Sequence, residues 1–191
     1  MPSNAFSVHL EQLLRDAEEL DDAHTDLSTG NPGRQYGLAS LNRSIVVVSV
    51  SAWESYIEEL MREAVLALRP PGPPFGQPWP ALNAYVAGLL GRFHTPNAHN
   101  VEQLIRNSLG LANVHIQWAW QNRTSAQAVQ RLDEAMTFRH QIAHGVNPRP
   151  NIHNQYSSQL PSLFRRLARC TDFAVRSHLV NVHGHAAPWP P

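Results

Sequence analysis

A chain of 191 residues with 42% hydrophobic residues can bury one sizeable core and is short for two, so a single domain is expected. Fifteen acids balance fifteen basic residues, all of them arginine, and the net charge of +0 excludes a protein that coats nucleic acid by bulk electrostatics. The balance is uneven: residues 1–63 hold eleven acids and four arginines (−7), residues 64–191 four acids and eleven arginines (+7). Arginine throughout suits bidentate phosphate contacts, although biased coding produces the same count.

The residues Met1 to Ala5 lack the basic-then-apolar pattern of a secretory signal, and no run of about 18 uncharged apolar residues occurs, so a cytoplasmic protein without a membrane partner is expected. A lone Cys170 forms no internal disulfide, makes a thiolate zinc site implausible and is expected as a small core residue.

Phe6, Leu10, Leu13, Leu14, Ala17 and Leu20 recur at helical spacing among acids, which predicts an amphipathic helix from Phe6 to about Leu27, ended by the Ser28–Gly33 stretch. The β-branched run Ile45–Val50 alone suits a buried strand. It continues, however, through Trp53, Ile57, Leu60, Met61, Ala64, Val65 and Leu68 at three- and four-residue steps, which predicts one long helix over 38–69. The proline-rich segment Pro70–Pro80 reads as a stiff, non-helical connector. Short helices are predicted at 81–92 and 100–109, the second started at Asn100 with Gln103 three positions on. Val114–Trp120 alternates over too few residues to fix its state and is expected as an ordered connection.

Thr124 or Ser125 caps a helix expected to run to His144, with Gly145 just past its end. Ala128, Leu132, Ala135 and Ile142 keep one phase, and Arg139 falls on that phase where an aliphatic residue is the default. A final helix is predicted over 158–183, carrying Leu160, Leu163, Phe164, Leu167, Ala174 and Val175 inward and stopping at Gly184. The expected architecture is all-α, a bundle of four to five main helices over residues 1–184, with a flexible C-terminal tail at 185–191.

Arg139 and His144 are the candidate chemical pair. A guanidinium supplies permanent charge and a fork of donors for phosphate oxygens, and an imidazole exchanges protons near neutral pH. That combination suits RNA cleavage, in which a base activates the ribose 2′-OH, the oxygen attacks the adjacent phosphorus and a fixed cation meets the growing charge, with no metal or other cofactor required. In an ideal helix, positions five apart differ by about 140° around the axis, so the pair converges only if the last turn unwinds or if a twofold dimer brings two segments into one cleft.

The segment Arg139-His140-Gln141-Ile142-Ala143-His144-Gly145 resembles the Arg-polar-x-x-x-His signature of the HEPN superfamily, and its Ile-Ala-His-Gly ending is similar to that of the RiboL-PSP-associated branch. Trp53-Glu54-Ser55-Tyr56 within a long helix, followed by a connector and then the motif helix, fits that branch over about residues 5–183. The resemblance implies a HEPN-like bundle and a metal-independent endoribonuclease with RNA as substrate. It further implies an active cleft shared across a homodimer and a place in toxin–antitoxin or antiphage systems, with an antitoxin protein as partner. It assigns Arg139 to stabilising the phosphorane, His144 to proton transfer and His140 to orienting or assisting. The near-neutral charge departs from strong general RNA affinity, and some members of the superfamily are catalytically silent modules that bind RNA or protein.

Duller roles compete. Arg139 can pair with Glu54 or Glu58, and His144 can cap the last carbonyls of its helix. His140 and His144 have metal-ligand spacing without a third ligand near in sequence. Arg165, Arg169 and Arg176 share a face of the last helix and are candidate phosphate contacts, or else a solvated ridge. Trp53, Tyr56, Trp118 and Trp120 suit base stacking, or core and dimer packing.

Overall fold

The computed structural model describes residues 2–28, 37–70, 78–185 and 188–189. A π turn at Ala5–Leu10 leads into α1 (Glu11–Leu27), followed by α2 (Leu38–Ala67), α3 (Pro78–Leu90) and α4 (Ala98–Leu109). A 3₁₀ turn at Val114–Gln117 then precedes α5 (Ser125–Ala143), the short α6 (Asn154–Ser157) and α7 (Leu160–Asn181). No strand is present among the described residues, and no helix among them is long and apolar enough to cross a membrane.

Helix α2 packs against each of the other helices. Its β-branched run is helical because Ile45, Val46 and Val50 continue into Trp53, Tyr56, Ile57, Leu60, Met61 and Val65, all buried, and only helical spacing buries that whole set. The centre is aromatic. Trp53 stacks on Tyr56 with ring centroids 5.5 Å apart, meets Trp118 edge-on at 6.0 Å and lies 5.9 Å from Phe164. Each polar tip is satisfied: Trp53 donates to the Pro96 carbonyl (2.9 Å), Tyr56 to that of Ala168 (2.8 Å) and Trp118 to the Thr171 hydroxyl (2.9 Å). Three of the four candidate stacking aromatics therefore belong to the core. Trp120 is half-buried beside the Arg123 guanidinium.

A buried carboxylate and a half-buried one tie the N-terminal residues to the bundle. Asp172 on α7 accepts from the Ser3 backbone N–H (3.2 Å) and from its hydroxyl, while Glu63 on α2 accepts from the N–H groups of Asn4 (3.0 Å) and Ala5 (2.6 Å). Burial pushes the Asp172 carboxyl above its ordinary 3.8, and the Ser3 bonds pull it only part of the way back. A carboxyl raised in the folded state holds its proton longer there than in the unfolded chain, so its favourable contribution is lost as pH rises through the raised value. Thermal melts across the acidic range should accordingly show wild type losing stability with rising pH relative to Asp172→Asn. Parallel curves would contradict this.

The boundaries differ from the sequence-based expectation at two places. The prolines at 78 and 80 begin α3 instead of lying in a connector, because a missing N–H costs nothing in the first turn of a helix; residues 71–77 of the expected connector lie outside the described residues. Helix α4 is capped by Asn97, whose side chain accepts from the Asn100 N–H at 2.8 Å, so Asn100 is inside the helix and is not its cap. Within the expected tail, Trp189 is only 5% exposed. Residues 186–187 and 190–191 of that tail lie outside the described residues.

Candidate functional site at the end of the fifth helix

Helix α5 is defined at both ends by local chemistry. Thr124 accepts from the Gln127 N–H (3.3 Å) while the Gln127 side chain accepts from the Thr124 N–H (2.9 Å), a reciprocal cap worth about 1 kcal/mol. At the other end Gly145 takes φ +69°, its N–H donates to Ile142 (3.1 Å) and the Val146 N–H donates to Gln141 (2.8 Å), the paired bonds of a Schellman termination. Nothing lies within 4 Å of a Cβ built on Gly145, so the backbone conformation alone demands glycine. Gly145→Ala should cost about 1 kcal/mol in a thermal melt and loosen the turn that carries His144; an unchanged melting temperature would show that the turn is not held this way.

Arg139 follows Leu132 and Ala135 on the buried phase of α5 and is half-buried. It lies on the side of Glu54 of α2, whose half-buried carboxyl is pushed up by burial, pulled down by the Arg139 charge, pushed up by Glu58 and pulled down by His94. Among the described residues no carboxylate lies within 4.0 Å of the Arg139 guanidinium, so the sequence alternative of an interior ion pair with Glu54 or Glu58 is not formed at contact distance. Glu58 instead pairs with Arg62 (2.9 Å).

His144 is the residue that caps the C-terminal end of the helix, in the sparsely populated region near φ −93°, ψ 12°, and its side chain is exposed. The backbone bonds of Gly145 and Val146 already take the carbonyls of Ile142 and Gln141, and the imidazole of His144 caps none. It stands against the exposed ring of His140, with centroids 4.3 Å apart. No third ligand joins the two histidines: the described residues contain no group of three or more His, Cys, Asp or Glu placed to hold a metal ion. Arg139 and His144 share the helix end without touching, as their five-residue spacing requires. Arg139 turns toward α2 and His144 toward solvent.

The arginines of α7 divide. Arg165 is clamped by Glu11 (2.8 Å) and by both oxygens of Glu18 (2.5 and 3.0 Å), which hold its pKa above the ordinary arginine value and commit its donors. This corrects its reading as an open phosphate contact. Arg169 and Arg176 are exposed, Arg169 with its guanidinium 5.9 Å from the Phe6 ring. His94, between α3 and α4, was not singled out by the sequence. It shares Glu54's surroundings with Arg139 and lines a groove of about 230 Å³ together with Arg92, Thr95, Asn100, Gln103 and Asn107. No local spacing signals it, since the proximity arises only when the α3–α4 connection packs beside α2.

Comparison of the chain with protein-family models, curated proteins and solved structures finds no match.

Proposed function

We propose that this protein is a metal-independent endoribonuclease of HEPN type, working as a homodimer in which the ends of two α5 helices face one RNA phosphodiester. The observation that carries the reading is a half-exposed guanidinium with no carboxylate at contact distance, on the same helix end as an imidazole that caps nothing. In this scheme the 2′-oxygen forms a bond to phosphorus and the bond from phosphorus to the 5′-oxygen breaks, leaving a 2′,3′-cyclic phosphate and a 5′-OH. His144 takes the proton from the 2′-OH or delivers one to the departing oxygen, and His140, 4.3 Å away ring to ring, orients it or assists. Arg139 meets the charge that grows on the phosphoryl oxygens. Exposed Arg169 and Arg176 and the groove around His94, lined by amides and cations, offer further contacts to the strand.

The separation of Arg139 from His144 within one chain favours a second reading, a catalytically silent module that binds RNA or a partner protein. Expression in cells separates the two. The nuclease reading expects growth arrest relieved by His144→Ala, as for a toxin whose antitoxin is absent; arrest that persists in the variant, or no arrest together with no cleavage of mixed RNAs in vitro, favours the binding module.

A further inference from the structure

Two residues beyond Gly145 the chain enters the wall of a cleft of about 1020 Å³, bordered on its other side by the end of α1 and the start of α2. Among the described residues its lining contains Arg43, Arg149, His24 and His153, and no aspartate or glutamate. This is notable because α1 and α2 belong to the acidic part of the chain. Neither arginine has a carboxylate at contact distance among the described residues: Arg43 donates only to the Ser40 hydroxyl (3.2 Å), and Arg149 is exposed. The Asp21 carboxyl, three residues before His24, is pushed up by burial and pulled down by His24.

The wall is fixed in place. Asn42 donates to the Ile152 carbonyl (3.3 Å) and accepts from the Ser157 hydroxyl (3.1 Å), tying the segment after α5 to α2. Two polar atoms on the lining residues are nevertheless unpaired: Nδ1 of His24, a residue only 8% exposed, and Oδ1 of Asn154. Asn147 and Asn151 add exposed amides, each a donor and an acceptor side by side, the pattern that matches base edges.

We propose that this cleft binds a nucleoside phosphate, with Arg43 and Arg149 on the phosphoryl oxygens and the asparagine amides on the base or sugar. Its volume is at the upper end of the range for small-ligand sites, roughly 300–1,000 Å³. The ligand chemistry has two sources, a nucleotide within an RNA strand or a free nucleotide. The strand source rests on the proposed function, since Asn147 is three residues from His144 and so within about 11 Å of it along the chain, where a strand cut at the α5 end would pass. The free-nucleotide source does not depend on that reading.

The test uses the full chain with two probes that it cannot cleave, adenosine 5′-monophosphate and a single-stranded 2′-O-methyl RNA hexamer. Binding is measured at several salt concentrations for wild type, Arg43→Gln, Arg149→Gln and Arg149→Lys. Each glutamine variant should weaken binding about tenfold, the loss of one charge-assisted contact. For the hexamer, each should also reduce the slope of log affinity against log salt by about 0.7, with Arg149→Lys restoring the slope. Binding of both probes identifies a site that a free nucleotide fills, and binding of the hexamer alone identifies the strand. If neither probe binds, or if glutamine variants that melt like wild type also bind like it, the proposal is overturned. Cleavage absent while arginine-dependent binding persists strikes the nuclease reading alone, and cleavage intact with binding indifferent to both arginines strikes the cleft alone.

Discussion

His144→Ala and Arg139→Ala are each expected to lower RNA cleavage by at least about 10²-fold, and the fold should survive both changes. A positioned proton-transfer group contributes about 10²–10⁴ and a preorganised charge at the developing oxyanion about 10²–10³, so either loss is large on its own. The His144 ring is exposed and makes no hydrogen bond to the protein, and Arg139 is half-exposed without a contact ion pair, so neither side chain is part of what holds the bundle together. Melting temperature and oligomeric state should therefore match wild type. The proposed dimer makes a sharper demand. Because the two groups do not meet within one chain, mixing the two inactive variants so that subunits exchange should restore part of the activity in mixed dimers. Unrestored activity in mixed dimers would contradict the shared cleft, and full activity in either single variant would contradict the assignment of that residue.

Trp53→Ala is expected to cost about 3–5 kcal/mol, the largest stability effect in the chain, because it empties the place where α2 meets Tyr56, Trp118 and Phe164. The substitution also strips the Pro96 carbonyl of its 2.9 Å donor, which frees the segment between α3 and α4. For a domain of this length, roughly 2–4 °C per kcal/mol turns that loss into a fall in melting temperature of about 10 °C. Trp53→Phe keeps most of the ring contact and loses only the donor, so it should fall well short of the alanine variant. Equal losses would mean that the hydrogen bond, and not the packing, dominates at this position.

Much of the architecture was legible in the sequence because it is periodic. The run from Ile45 to Val65 is recognisable as one helix by its length, and Arg139 stands out as a charge on an apolar phase that Leu132 and Ala135 keep. Gly145 marks the end of α5 because a left-handed residue there is nearly always glycine, and the structure gives it φ +69°. What could not be read is set by tertiary contact. Arg165 looks the same as Arg169 along α7, and only the packing of α1 brings Glu11 and Glu18, more than a hundred residues away in sequence, onto its donors. The neighbourhood of Glu54 and His94 around Arg139 comes from packing three separate segments, which no spacing encodes. Asn97 and Asn100 are chemically equivalent as caps, and the choice of Asn97 follows from where Pro96 fixes the chain against Trp53.

The central claim is that a guanidinium and an imidazole cleave RNA through the neighbouring 2′-oxygen. It is tested most directly by the ends of the products when the purified protein cuts a labelled single-stranded RNA in the presence of EDTA. Cleavage should be undiminished by the chelator and leave a 2′,3′-cyclic phosphate on one fragment and a 5′-OH on the other. Fragments bearing 3′-OH and 5′-phosphate ends, or cutting that stops when divalent ions are removed, would contradict it.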